Sequence, residues 1–202
     1  LNPHDPQADW LNKACLSEAA HRRIHAACEE YGVGFLSTPF DPQALDLLLA
    51  LGCRRVKMAS SQRLPRWLIE ANHRVGKLRC VQSCAWGRAI PPVEHCCDSL
   101  LEASLTAIPL YPTPPECVGQ VPLLDGWSDH TEGTSACKHM ISRGARLVEV
   151  HVCLPGQSRR MRWDKTPEQV REIRTWADEV ATMTTGVSQH FRTRWRTIKG
   201  AS

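Results

Sequence analysis

Two histidines stand at the ends of separate apolar stretches. His130 follows the stretch Leu123–Ser128, and His151 lies near the end of the stretch Leu147–Val152. If both stretches are strands of a barrel, the two imidazoles face one opening. Neutral ring nitrogens there bind a divalent metal ion, with water or substrate in the remaining positions. The alternative is that both histidines are structural residues held by hydrogen bonds. Asp129, next to His130, is suited to capping the helix that follows.

Lys57 is the second candidate for chemistry, in the short apolar stretch Arg55–Ala59 with Ser60 three residues later. A charged side chain inside a barrel requires an anion or a carboxylate as its partner. A lysine with hydroxyl groups nearby is suited to binding phosphate or carboxylate. A second functional interpretation is that Lys57 forms a Schiff base with a substrate. The structural interpretation is that Lys57 lies at the end of a strand and its side chain reaches solvent.

These residues are placed by an alternation of short apolar stretches and helical segments. Six stretches are predicted as strands: Val33–Ser37, Arg55–Ala59, Leu78–Gln82, Ser104–Ile108, Leu123–Ser128 and Leu147–Val152. Their starts are spaced by about 20 to 25 positions, the length of one strand, one helix and two loops. The helices between them have recognisable ends, with N-caps at Ser17, Asp41 and Thr166, a start at Pro65, and stops at Gly32, Gly52 and Gly76.

Strands alternating with helices indicate a parallel sheet, either closed as a barrel or open and doubly wound. An open nucleotide-binding sheet is typified by a glycine-rich loop, and neither GxGxxG nor GxxxxGK[ST] occurs in the sequence. Polar residues instead follow nearly every strand, as in barrel enzymes: Ser37, Thr38, Lys57, Ser60, Ser83, Tyr111, Ser128, Asp129, His130, Glu149 and His151. The predicted fold is therefore α/β, of the (β/α)₈ TIM-barrel type, with about six of the eight βα units in this chain.

The composition is that of an ordinary soluble globular protein, with 42% hydrophobic and 23% charged residues among 202. No apolar run reaches the roughly 18 residues that a membrane span needs, so no membrane partner is expected. The ten cysteines include no pair of CxxC motifs, which favours reduced thiols in a cytoplasmic protein. The net charge of +4 comes from a basic tail, residues 183–202, and leaves residues 1–182 electrically balanced. A loose terminus is the simplest interpretation of that tail, and no nucleic-acid partner is expected.

Five sequence blocks together resemble the N-acetylneuraminate (sialic acid) synthase family in their order and spacing. The blocks are GFLSTPFD (34–41), RVKMAS (55–60), LYPTPPE (110–116), GWSDHTEG (126–133) and GARLVEVH (144–151). The resemblance extends from about Trp10 to Val180, and STPFD and SDHT are its most specific parts.

The resemblance implies a (β/α)₈ barrel that condenses phosphoenolpyruvate with an N-acetyl-hexosamine, such as N-acetylmannosamine, to a nonulosonic acid and releases phosphate. It implies a divalent metal ion, with Mn²⁺ expected in preference to Mg²⁺. His130 and His151 would hold this ion, which would act as a Lewis acid. Lys57 and Ser60 match the phosphoenolpyruvate-binding KxxS block, and Ser128 matches a phosphate contact. Ser83 and Tyr111 complete the expected substrate-binding set. Many members of the family form homodimers, so a homodimer is expected for the full-length protein.

The chain also departs from the family pattern. Ser83-Cys84-Ala85-Trp86 stands where the family has STGM, and Asp164 is the nearest acid to the one expected after the second histidine, across a shorter loop. The two N-terminal strands and the antifreeze-like domain of the family are expected to be missing from this chain. The domain prediction is accordingly residues 1–182 as a barrel without its first two strands, followed by the tail. The alternative hypothesis is a catalytically inactive barrel remnant that binds sugar phosphates or another protein, and the acceptor sugar stays open.

Overall fold

The computed structural model describes residues 15–62, 65–76, 78–85, 100–107, 113–157 and 161–184. The elements follow in the order α1 (Glu18–Glu30), α2 (Pro42–Ala50), β1 (Arg55–Met58), α3 (Arg66–Val75), β2 (Arg79–Ala85), β3 (Leu101–Ala107), α4 (Pro115–Val118), β4 (Gly126–Asp129), α5 (Ser135–Ser142), β5 (Leu147–Val150) and α6 (Pro167–Met183). The five strands form one sheet in the order β1-β2-β3-β4-β5, and all neighbouring pairs are parallel. The predicted alternation of strands and helices is confirmed.

Five of the six predicted strands are present, and the prediction of a strand at Val33–Ser37 is wrong. This segment runs beside β1 but is joined to it by one backbone hydrogen bond, from Lys57 N to Ser37 O at 2.9 Å. Val33 and Leu36, whose burial would hold a strand in register, are exposed. The segment therefore stays extended without forming a ladder, and the sheet of the described residues has five strands instead of six.

The sheet is strongly curled, because side chains from its two edge strands meet. β1 and β5 are separated by four strand spacings, which is about 19 Å in a flat sheet and out of reach for two side chains. Lys57 Nζ on β1 nevertheless lies 2.7 Å from Glu149 Oε1 on β5. The five strands thus form part of a barrel, as predicted, with Lys57 and Glu149 on its inner face.

The outer face of the sheet carries the hydrophobic core in two clusters. Val56 and Met58 of β1 are fully buried with the apolar sides of α2 and α3, and Trp127 of β4 is buried with α5 and α6. Because side chains alternate along a strand, the residues next to these point to the inner face. The core residues Val56, Met58 and Trp127 therefore direct Lys57 and Ser128 into the barrel.

The helices begin and end where their capping residues predict. The Asp41 carboxylate accepts a hydrogen bond from Ala44 N at 2.7 Å and starts α2. Thr166 and Gln169 form the predicted capping box at the start of α6. Each cap satisfies amide groups that the first helical turn leaves without a partner. These local signals fix the lengths of the connections between strands.

Gly126 opens β4 at a point of close backbone approach. A Cβ atom there would collide with the carbonyl oxygen of Leu147 on β5 and lie 2.6 Å from Leu105 Cδ2 on β3. Only glycine therefore lets β4 pair closely with both neighbouring strands, which sets the positions of the residues that follow it.

We expect Gly126→Ala to lower the free energy of unfolding by about 1–3 kcal/mol, the usual cost of forcing extra atoms into a packed site. Urea-induced unfolding followed by circular dichroism measures the change. Gly119→Ala is the matched control, because a Cβ at Gly119 meets no atom within 4 Å. Equal effects of the two substitutions would contradict the packing argument.

Two further predictions concern the described part of the chain. No helix within it is long and apolar enough to cross a membrane. Its eight cysteines are all free thiols, so the described ranges contain no disulfide bond.

Candidate functional site

Four side chains from four strands meet on the inner face of the sheet, around the carboxylate of Glu149. Lys57 on β1 forms the 2.7 Å ion pair with Oε1, and Ser83 on β2 donates a hydrogen bond to Oε2 at 3.1 Å. The hydroxyl group of Ser128 on β4 lies close enough to this carboxylate to lower its pKa. The structure therefore brings together three residues that the sequence assigned to substrate binding, and it joins them through a fourth.

The carboxylate of Glu149 is held in its charged form. Burial by itself raises the pKa of Glu149, but the hydrogen bond and the positive charge of Lys57, with the hydroxyl groups of Ser128 and Ser83, outweigh burial and lower the pKa below its ordinary value. The partner of Lys57 is thus a carboxylate, one of the two partners that its predicted place in a barrel required. An incoming anion would have to share Lys57 with Glu149.

The two histidines lie side by side at the ends of β4 and β5. The centroids of the His130 and His151 rings are 5.2 Å apart, and the ring planes are inclined by 62°. His130 is 6% exposed, whereas the side chain of His151 is 52% exposed. Burial and the neighbouring His151 lower the pKa of His130 to about 4. His130 is therefore a neutral imidazole near pH 7, which is the form that binds metal ions.

A loop before α6 completes the surroundings of the histidines. The indole of Trp163 packs edge-on against both imidazoles, with centroid distances of 6.4 Å to each. Asp164 Oδ1 lies 3.9 Å from Nδ1 of His151, and the side chain of Asp164 is nearly buried. Asp164 is the acid nearest to the one that the family resemblance places after the second histidine, and it lies beside that histidine in the structure.

The histidine pair fits a divalent cation by the chemistry of its donors. The two imidazole rings lie side by side, burial keeps one of them neutral, and the exposed side of His151 leaves room for water or substrate. Within the described ranges, no group of three or more His, Cys, Asp or Glu side chains is arranged to hold a metal ion. A metal ion at this pair would draw no third ligand of these types from the described residues, and the metal site stays a prediction.

The other predicted residues have different outcomes. Ser60 lies in the turn after β1 and is half-buried, while Tyr111 falls outside the described residues. Trp127, inside the GWSDHTEG block, is fully buried in the core and donates its Nε1–H to Asp129 at 2.7 Å. Asp129 is not the N-cap of α5, which begins after Thr134.

Glu149 is the functional residue that the sequence left without a role. It stands two positions before His151, so a strand places both side chains on the same face. The spacing EVH in the last strand was the signal that could have identified it.

An all-parallel, curled sheet with its core on the outside and polar side chains gathered on the inside defines a partial TIM-barrel α/β protein. Known proteins have the same architecture. The crystal structure of N-acetylneuraminic acid (sialic acid) synthetase from Leptospira borgpetersenii serovar Hardjo-bovis is similar with a TM-score of 0.74 and 17% identity, over 98% of this chain and 76% of that chain.

Sequence comparison adds similarity to one protein family over the first part of the chain. Residues 2–83 match the NeuB family. The chain is 36% identical over 56 residues to the N,N'-diacetyllegionaminic acid synthase of Legionella pneumophila, covering 28% of this chain and 16% of that enzyme. It is 29% identical over 158 residues to an uncharacterized protein of Methanocaldococcus jannaschii, covering 69% and 45%. The chain thus spans less than half the length of these two relatives. The match of residues 2–83 to the NeuB family supports the resemblance that the five sequence blocks indicated.

Proposed function

We propose that this protein is a sialic acid synthase-like transferase, which condenses phosphoenolpyruvate with an N-acetyl-hexosamine to a nonulosonic acid and releases phosphate. The observation that carries the proposal is the convergence of Lys57, Ser83 and Ser128 at one end of the barrel, whose neighbouring strand ends carry His130 and His151. One group offers cationic and hydroxyl donors to an anion, and the other offers ligands to a metal. The names of the two synthases that resemble the chain support the same reaction class.

Each residue has a role that its position allows. Lys57 and the hydroxyl groups of Ser83 and Ser128 bind the carboxylate or phosphate of phosphoenolpyruvate through charge-assisted hydrogen bonds. Glu149 keeps Lys57 extended along the inner face and limits the net charge of the empty site. An entering anion shares the three N–H donors of Lys57 with Glu149, and the negative charge of Glu149 opposes its binding.

The histidines provide the second half of the proposal. His130 and His151 would hold a divalent ion, Mn²⁺ before Mg²⁺, which when bound supplies a Lewis acid that polarises the aldehyde of the open-chain sugar. Trp163 shields both imidazoles from one side. Asp164 Oδ1 lies 3.9 Å from His151 Nδ1, too far for a hydrogen bond, and places a negative charge beside that ring.

Release of inorganic phosphate from phosphoenolpyruvate tests the proposal directly. The chain is incubated with Mn²⁺ and a panel of N-acetyl-hexosamines, with N-acetylmannosamine included, and the sugar product is identified by mass spectrometry. We expect sugar-dependent phosphate release that stops when EDTA removes the metal. A rate that does not depend on the sugar would contradict synthase activity in this chain. No phosphate release with any sugar would contradict it as well and would favour the alternative of a non-catalytic sugar-phosphate-binding protein.

A further inference from the structure

Lys165 is a fully buried lysine close to the histidine pair. Both it and Asp129, its partner, have 0% of their side chains exposed, and Lys165 Nζ lies 2.6 Å from Asp129 Oδ2. The same ammonium group donates to the carbonyl oxygens of Thr131 at 2.6 Å and Trp163 at 2.9 Å. Three acceptors therefore use the three N–H groups that a lysine carries.

The backbone of Lys165 is bound as well, to the chain that follows β5. Lys165 N donates to His151 O at 2.8 Å, and Cys153 N donates to Lys165 O at 3.0 Å. These two bonds form an isolated parallel bridge between Val152 and Lys165. Lys165 thus links three stretches of chain: residues 129–131 after β4, residues 151–153 after β5, and the loop 161–164.

Most of these contacts reach a predicted metal ligand or a residue that touches one. Asp129 and Thr131 flank His130, the backbone bond reaches His151 itself, and Trp163 packs against both rings. A buried ion pair is a costly way to fill space, because an apolar side chain of similar volume is often as stabilising or more so. Core packing alone therefore gives no reason for a lysine at this position.

We propose that Lys165 is a positioning residue, which fixes His130 and His151 relative to each other so that both imidazoles reach one metal ion. This role of Lys165 rests on the proposed function, because it assumes that the histidine pair binds a metal ion. It assigns to Lys165 no contact with substrate or metal. Its effect passes through Asp129, Thr131 and the backbone of His151.

Three variants test this role. Lys165→Met removes the ammonium group and leaves Asp129 buried without its cation. The double variant Asp129→Asn/Lys165→Met removes both charges and keeps Oδ1 as acceptor for Trp127 and Thr131, so it is the variant expected to stay folded. Lys138→Met is the matched control, because Lys138 pairs with Glu172 between α5 and α6, on the outer side of the sheet.

Mn²⁺ affinity is measured by isothermal titration calorimetry, and folding by thermal melting of the same samples. We expect Mn²⁺ affinity to fall about 10- to 100-fold in the double variant, the usual effect of losing a residue that orients metal ligands, while its melting remains cooperative. Lys138→Met should bind Mn²⁺ as the unaltered chain does. A folded double variant with unchanged Mn²⁺ affinity would overturn the proposal.

Measurements on the metal-free protein test the positioning role of Lys165 independently of the proposed function. The imidazole resonances of His130 and His151 are recorded by NMR and assigned with His130→Gln and His151→Gln. If the unaltered chain binds no Mn²⁺, the metal in the proposed function is refuted. Shifts of both sets of resonances in the double variant, but not in Lys138→Met, would still support positioning by Lys165. Unchanged resonances would refute it.

Discussion

Mn²⁺ affinity is expected to fall more than about 100-fold in His130→Ala and in His151→Ala, since loss of a residue that only orients a ligand already costs 10- to 100-fold. The physical reason is the small number of protein ligands. The two rings lie 5.2 Å apart, and the described residues contain no third His, Cys, Asp or Glu arranged with them to hold a metal. A site with two protein ligands that loses one has no compensating donor.

His139→Ala is the control for this experiment, because His139 is exposed on α5, away from the histidine pair. Titration calorimetry gives the affinities, and electron paramagnetic resonance of free Mn²⁺ gives an independent count of bound ions. Identical Mn²⁺ binding by the unaltered chain and both site variants would show that the histidines are structural, the alternative that their spacing left open.

Affinity for phosphoenolpyruvate is expected to fall about 10- to 150-fold in Lys57→Met, which corresponds to the loss of one charge-assisted hydrogen bond of about 1.5–3 kcal/mol. Glu149→Gln should change affinity in the opposite direction. Its amide oxygen can still accept from Lys57 Nζ, but the carboxylate that competes with the incoming anion is gone. Opposite shifts from the two partners of one ion pair are the signature of an anion site.

Equilibrium binding of phosphoenolpyruvate measures both variants, and Lys138→Met again serves as the control for removal of a lysine. If Lys57 and Glu149 form a purely structural link across the barrel, both substitutions should lower stability and neither should change anion binding. Thermal melting of each variant therefore accompanies the binding measurement.

Local rules were sufficient for much of this architecture. Asp41, Thr166 and Gln169 determine helix ends through contacts within one turn, and alternation along β1 and β4 places Lys57 and Ser128 opposite the core. The segment Val33–Ser37 has the composition of a strand, and the prediction there was wrong because strand formation depends on a partner and on burial, which lie outside the segment.

The candidate site divides along the same line. The sequence alone determines which residues could form the site and places them at strand ends, because period-two alternation and the motif blocks are local properties. These residues are Lys57, Ser83, Ser128, His130 and His151. Ser60 and Tyr111 stay predictions. Only the tertiary structure decides that Glu149 is the partner of Lys57, because curling of the sheet brings together these residues 92 positions apart. It also decides that Lys165 joins the two histidine-bearing ends, because the chain after β5 folds back and brings Lys165 to Asp129, 36 positions away. Such contacts depend on the path of the whole chain, which no local pattern specifies.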